Sequence, residues 1–93
     1  MSYIDVQWFH NFESEPIRLV SELNEDRLET RKLEFFRDGK VGFASASSSS
    51  SGTDLGLMDV PMLAEINLDP QFRGVEISAN EFEVLWEKYA GRV

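Results

Sequence analysis

The stretch RKLEFFRDGKVGFASA, residues 31–46, decides the fold class of this 93-residue chain. Apolar residues flank the polar tripeptide Arg37-Asp38-Gly39 on both sides, a pattern typical of a β-hairpin. We predict one strand over residues 28–36 and its partner over residues 40–46. Five consecutive serines, residues 47–51, follow this hairpin directly.

Two turn geometries are compatible with the hairpin, and they give different registers. A two-residue turn pairs Phe36 with Val41. A type I turn followed by a left-handed glycine forms a bulge, and it pairs Phe35 with Val41 and Leu33 with Phe43. The bulged turn places four large apolar side chains on one face of the hairpin. Since a slip of one residue turns every side chain over, burial favours the bulged turn.

The N-terminal part of the chain predicts two further strands. Residues 3–10 alternate, with Ile4, Val6 and Trp8 on one face. Residues 17–23 also alternate, and the polar residues 24–27 that follow predict a tight turn. Because the connections are short, we expect the four strands to be mainly antiparallel.

The C-terminal part predicts two helices. Pro61 suits the first turn of one helix. Ser78 begins a segment with capping-box spacing, and apolar residues follow it at helical intervals. In an alternative that stays open, Val75 and Ile77 form a short extra strand. The prediction is an α+β fold in a single domain of residues 1–93, with a four-stranded sheet followed by two helices that cover one face.

The serine tract belongs to the longest irregular segment, a Ser/Gly loop at about residues 46–57. Connections of this length are uncommon in compact domains and are usually functional or disordered. The loop has no GxxxxGK[ST] pattern for binding phosphate, and Asp54 would repel an anion. We therefore predict a flexible connector.

Composition excludes several classes of function. The chain has no cysteine, so disulfides and thiolate chemistry are absent. No signal peptide or apolar run of membrane-spanning length is present, and we expect a cytoplasmic protein. The net charge of −8 disfavours nucleic acid and anionic membranes, and it favours a protein partner with a basic surface. No pattern indicates a metal site or a cofactor.

Several short motifs give the chain a global resemblance to a known family. They are Tyr3-Ile4, Val6-Gln7-Trp8 with His10, Glu15-Pro16, Arg31-Lys32-Leu33-Glu34, Phe36-Arg37-Asp38-Gly39, Pro61, and Glu81-Phe82-Glu83 with Trp86. With these motifs the chain resembles a family of small, uncharacterised bacterial proteins known as a domain of unknown function. The resemblance implies no established activity, cofactor or catalytic residue. Some small acidic bacterial proteins of this general kind act as immunity proteins that neutralise a toxin, which is an analogy of type.

The residues offer one candidate ligand site. His10 is the only histidine, and its side chain is the only one whose ordinary titration range lies near neutral pH. A small ligand-binding domain or enzyme would use His10 together with Ser49 and Asp54 of the serine loop. Because no nucleophile, base and orienting group form a set, we assign no catalytic residue and favour a non-catalytic role.

Carboxylates offer the other candidate site. From Asp54 to Glu87 there are eight acidic residues and one basic residue, Arg73. The candidate partner-binding residues are Asp59, Glu81, Glu83 and Glu87. We expect a non-catalytic, acidic interaction domain that binds a basic protein partner. In the narrower version of this hypothesis the binding is immunity-like. We expect either a monomer or a homodimer through an edge strand at residues 3–9, because unpaired strands invite strand addition.

Overall fold

The structure is a computed structural model that describes residues 1–90. Within these residues the chain forms five strands and two helices. In chain order they are β1 Ser2–Trp8, β2 Arg18–Leu23, β3 Glu29–Phe35, β4 Val41–Ser45, α1 Leu63–Ile66, β5 Phe72–Glu76 and α2 Ala79–Tyr89. Neither helix in this part of the chain has the length and apolar character of a transmembrane segment.

The sheet is antiparallel throughout, with the strand order β4-β3-β2-β1-β5. The first four strands form a meander, and β5 returns to pair with β1 from Ile4–Glu76 to Trp8–Phe72. The predicted count of four strands is therefore wrong by one, and the open alternative of an extra strand near Val75 is closer. β5 forms because it satisfies backbone groups that β1 would otherwise leave unpaired.

The predicted hairpin register is confirmed. Phe35 pairs with Val41 and Leu33 pairs with Phe43. Gly39 has a φ of 91°, in the left-handed region that glycine adopts without strain. The Phe36 N–H donates to the Lys40 carbonyl at 2.9 Å, which closes the turn.

The two helices cover opposite faces of the sheet, which corrects the prediction that both cover one face. Against α2 lies a core cluster that includes Val20, Leu33, Phe43, Phe82 and Ala90. Against α1 and the segment before it lies a second cluster built on Ile4, Val6 and Leu23. The reason is that β1 and β2 carry apolar residues on both faces, so each face must be covered.

One of the two hydrogen bonds of the predicted capping box of α2 is present, namely the one that the serine side chain accepts. Ser78 Oγ accepts a hydrogen bond from the Glu81 N–H at 3.0 Å. Phe82, in the first turn of α2, is fully buried against the sheet. Its ring lies 5.3 Å from the ring of Tyr3 and 6.1 Å from that of Trp86. The helix therefore docks through its aromatic side chains.

A side chain closes the edge of the sheet at β5. Asn67, directly after α1, accepts a hydrogen bond from the Gly74 N–H at 2.7 Å through Oδ1. Its Nδ2 donates to the Gly74 carbonyl at 3.0 Å. The amide thus takes the place of a neighbouring strand at this residue, which protects the edge against strand addition.

The serine tract closes the opposite edge. The Phe43 N–H donates to Ser50 Oγ at 2.8 Å, and the Ser50 N–H donates to the Phe43 carbonyl at 2.8 Å. The Ser45 N–H donates to the Ser48 carbonyl at 2.7 Å. The loop therefore folds back along β4. The flexibility expected for residues 46–57 stays a prediction.

These contacts bear on the expected homodimer edge. Residues 3–9 are not an edge, because β1 is hydrogen-bonded to β2 on one side and to β5 on the other. The prediction of an edge there is wrong, since β5 supplies the missing partner. The edge strands are β4 and β5, and each has part of its outward-facing backbone satisfied from within the chain.

Gly42→Ala should destabilise the fold by about 1–3 kcal/mol through overpacking. A Cβ at Gly42 would overlap Thr53 Oγ1 and lie 3.2 Å from Thr53 Cβ, and Thr53 is only 2% exposed. Urea denaturation measures the loss. The double variant Gly42→Ala, Thr53→Ala lacks the overlapping oxygen. Its loss in free energy of unfolding should therefore be smaller than the sum of the losses in the two single variants. Full additivity would contradict this contact.

Asn67→Ala should open the β5 edge. Since both hydrogen bonds to Gly74 are lost, we expect the free energy of unfolding to fall by about 1 kcal/mol and hydrogen exchange at the Gly74 amide to become faster. Light scattering at high concentration should show more association for Asn67→Ala than for the wild type under the same conditions. Asn67→Asp keeps the acceptor and should retain part of the Gly74 protection. Unchanged exchange in Asn67→Ala would show that the edge is closed by another group.

Candidate binding surfaces

His10 lies just beyond β1 in an aromatic cluster. Its ring centroid is 4.3 Å from that of Trp8 and 5.3 Å from that of Phe12. The Phe12 N–H donates to Nδ1 at 3.0 Å, and Nε2 lies 2.7 Å from the Pro16 carbonyl. This geometry assigns the proton to Nε2, which donates to Pro16. Both ring nitrogens are therefore engaged in holding the connection between β1 and β2.

Ser49 and Asp54 lie apart from the surroundings of His10. Ser49 is exposed and bridges to Ala44 of β4, and Asp54 is exposed next to the buried Thr53. The cavity beside His10 is lined instead by residues of β1, of the start of β2 and by Arg37. No hydrogen bond within residues 1–90 joins His10 to the serine loop. Whether these residues contact a ligand stays a prediction.

The candidate carboxylates of α2 do not share one environment. Glu81 and Glu87 are exposed and form no ion pair within residues 1–90. Glu83, although half exposed, is paired with Arg31 of β3, whose Nη1 donates to Glu83 Oε2 at 3.3 Å. Glu83 therefore connects the helix to the sheet, which competes with a role in binding a partner.

Arg31 is the centre of the polar contacts on the α2 side. Its Nε and Nη2 donate to the two carboxylate oxygens of Glu22 at 2.9 and 2.7 Å. Its guanidinium also lies over the rings of Phe82 and Trp86, 4.8 and 5.2 Å from their centroids. Hydrogen bonds from Arg31, the largest cause, lower the pKa of Glu22. The same bonds raise the pKa of Arg31.

A second polar network lies on the opposite face of the sheet. Lys32 Nζ lies 3.4 Å from Glu29 Oε1 and 3.5 Å from Glu34 Oε2, and all three side chains are largely buried. Thr53 Oγ1 donates to Glu34 at 3.3 Å, and the Gly56 N–H donates to Glu29 at 2.6 Å. The network therefore anchors the serine loop and the segment after it to β3.

An apolar groove of about 430 Å³ adjoins this network, between the sheet and the α1 segment. Its apolar lining comes from β1, β2, β5 and the α1 segment, namely Ile4, Val6, Leu19, Val60, Ile66 and Phe72. Carboxylates of Glu29, Glu65 and Asp69 also line it. The volume falls within the range of ligand pockets, about 300–1,000 Å³. The groove exists because α1 has only four residues and covers only part of this face.

The segment that carries α1 exposes apolar side chains beside the groove. Leu57 is 94% exposed, Met58 78%, Met62 60% and Leu68 81%. Asp59, the remaining candidate carboxylate, is exposed among them and lies on the opposite face of the sheet from α2. The structure therefore does not bring Asp59 together with Glu81, Glu83 and Glu87. Clustered exposed apolar residues of this kind mark interaction sites.

Sequence reasoning missed the groove, although two signals pointed to it. Lys32 and Glu34 are two residues apart in a strand, so they share the face opposite Leu33 and require polar partners there. Residues 41–72 contain no lysine or arginine, and from Leu57 to Asp69 apolar and acidic residues are mixed. Within residues 1–90 no group of three or more histidine, aspartate or glutamate side chains has the arrangement of a metal site.

Glu22→Gln should reduce the acid sensitivity of folding. Because its pKa is lowered in the folded state, Glu22 stabilises the fold above the ordinary glutamate pKa of about 4.3. That stabilisation is lost as the pH falls through the lowered folded-state pKa. The free energy of unfolding, measured by urea denaturation from about pH 7 to about pH 3, should therefore fall less steeply with decreasing pH in Glu22→Gln than in the wild type.

The control for this measurement is Glu87→Gln, which removes an exposed carboxylate without an ion pair among the described residues. Its slope should equal that of the wild type. An equal slope for Glu22→Gln would show that the Arg31–Glu22 contact does not contribute to acid sensitivity.

Comparison with known proteins gives a family but no function. No curated protein and no solved structure shows significant similarity to the chain. A family model described as a domain of unknown function (DUF6881) matches residues 2–91, which is nearly the whole chain. The chain therefore belongs to the family of that domain of unknown function, DUF6881.

Proposed function

We propose that this domain is a non-catalytic interaction module that binds a protein partner with a cationic surface. One observation carries the proposal. Three of the four basic side chains of the strands, those of Arg18, Arg31 and Lys32, are used inside the molecule, and only Arg73 is exposed without an ion pair within residues 1–90. Most of the exposed carboxylates, in contrast, are not used in this way. The net charge of −8 is therefore presented to solvent mainly as unpaired negative groups.

The contacts of the basic residues support this. Arg18 makes a two-pronged contact to Asp5 at 2.9 and 2.7 Å. Arg31 and Lys32 are each held between two carboxylates. Arg27 donates to the carbonyls of Val60 and Pro61 at 2.7 and 2.8 Å. None of these cations is left to neutralise the outer surface.

Most of the exposed carboxylates, in contrast, have no cationic partner within residues 1–90. Eleven exposed acids form no ion pair within residues 1–90: Glu13, Glu15, Glu25, Asp26, Asp54, Asp59, Glu65, Asp69, Glu76, Glu81 and Glu87. Such a field attracts and orients a cationic partner and accelerates association. It repels phosphate backbones and anionic lipid surfaces.

A narrower form of the proposal is an immunity-like role, in which the cationic partner is a toxin that this domain masks. Small size, negative charge and exposed apolar groups are compatible with that role. The narrower form requires that the captured partner be toxic when expressed alone and harmless when expressed with this domain.

Affinity capture from the source organism tests the proposal. A tagged wild-type bait should retain a basic protein at about 0.15 M salt and release it near 1 M, where the Debye length falls from about 8 to about 3 Å. A bait in which Asp59, Glu65, Asp69, Glu81 and Glu87 are replaced by amides should retain much less. The amount of protein retained by each bait is measured by quantitative mass spectrometry, with an empty resin as the blank.

A bait carrying Lys40→Gln provides the matched control, because it removes one exposed cation from the β3–β4 turn. It should retain the partner at least as well as the wild type. Retention that ignores both salt and the amide substitutions, or no retained protein at all, would contradict the proposal.

A further inference from the structure

We propose that the groove beside α1 is the contact site for that partner, and that it accepts an apolar side chain flanked by lysine or arginine. This inference rests on the proposed function, and it specifies the surface and the chemistry. The partner is a polypeptide segment in which a large apolar residue lies between two cations.

The groove is lined mainly by apolar side chains and is large enough for one more. It is lined from the sheet by Ile4, Val6, Leu19 and Phe72, and from α1 by Ile66. A volume of about 430 Å³ is enough for a large side chain such as phenylalanine. Burying such a side chain removes roughly 150–250 Å² from water, which is a substantial driving force for a small contact.

The charge around the groove is negative. Glu65 and Asp69 are exposed at its lining and form no ion pair within residues 1–90. Asp59 lies in the same segment, beside Val60 of the lining. Residues 41–72 contain no basic side chain. Arg27 reaches this segment from the turn before β3, but it donates to the carbonyls of Val60 and Pro61 and forms no ion pair with these carboxylates. The groove therefore combines an apolar interior with an acidic rim, whose complement is an apolar group with flanking cations.

The α2 side of the sheet contrasts with the groove. There Arg31 already neutralises Glu83, and the aromatic side chains of α2 are packed against the sheet. In the α1 segment Leu57, Met58 and Leu68 remain exposed, and they are interspersed in sequence with the acidic residues. Flexible methionine side chains adapt well to a partner surface. Val84 of α2 is also exposed, between Glu81 and Glu87 in sequence, but the α1 segment has more exposed apolar residues and adjoins the apolar groove.

A peptide titration followed by NMR tests the inference. The probe is acetyl-Lys-Phe-Lys-amide added to isotope-labelled full-length protein. Two control peptides change one property each: acetyl-Lys-Ser-Lys-amide lacks the apolar group, and acetyl-Glu-Phe-Glu-amide reverses the charge. Only the first peptide should shift amides of the groove, with Leu19, Ile66 and Phe72 as reporters.

Two matched variants compare the two faces. The double variant Glu65→Gln, Asp69→Asn should bind the Lys-Phe-Lys peptide about fivefold more weakly. It removes the two solvent-exposed ion pairs that these carboxylates would form with the lysines of the peptide. Glu81→Gln with Glu87→Gln removes the same charge from α2 and should leave the affinity within about twofold. Since all four side chains are exposed, we expect both variants to fold, which circular dichroism checks.

The alternative occupants give different results. Equal shifts with the serine peptide, or shifts confined to α2, would overturn the groove site. Equal binding of the Glu-Phe-Glu peptide would mean that the groove accepts apolar molecules regardless of charge. Groove signals that move with protein concentration alone would mean that a second copy occupies it. Either result would also overturn the inference.

The capture experiment separates this failure from failure of the proposed function. If the Glu65→Gln, Asp69→Asn bait retains the cationic partner as well as the wild type does, the groove is not the contact site and the proposed function stands. If no bait retains a partner in a salt-sensitive way, the proposed function itself fails.

Discussion

The register of β3 against β4 sets which chemistry faces each side of the sheet. With Gly39 in the left-handed conformation, Leu33 lies opposite Phe43 and both side chains enter the α2 core. The same register pairs Lys32 with Ala44 on the other face. Because β3 is also held by β2, a slip of one residue between β3 and β4 would turn Phe43 out of the α2 core and onto the face of Lys32. Both surfaces of the molecule depend on this constraint.

The two faces that result are built differently. On one face, a capped helix of eleven residues packs through aromatic rings and is connected to the sheet by Arg31. On the other, a helix of only four residues leaves the sheet partly open, and polar contacts to Glu29 and Glu34 hold the covering segment. The first face is used for stability. The second combines a groove, exposed apolar side chains and unneutralised carboxylates, which is why we place the interaction there.

Sequence reasoning reached the parts of the fold that depend on local pattern. The hairpin register followed from burial, and the start of α2 followed from the capping-box spacing of Ser78 and Glu81. It left β5 only as an open alternative at Val75 and Ile77, because a five-residue strand with Gly74 at its centre gives a weak strand signal. It also assigned both helices to one face, since apolar residues on both faces of β1 and β2 are weaker signals than strict alternation. The spacing of Lys32 and Glu34 and the acidic, apolar segment from Leu57 to Asp69 accompany the groove, but its shape is formed by segments distant in sequence and does not follow from these local patterns.

Hydrogen exchange measured by mass spectrometry on the complex with the captured partner tests the central claim most directly. We predict slower exchange in peptides that cover the α1 segment and β5, residues 57–76, with no change in α2. Protection confined to α2, with the α1 segment exchanging as it does in the free protein, would contradict it.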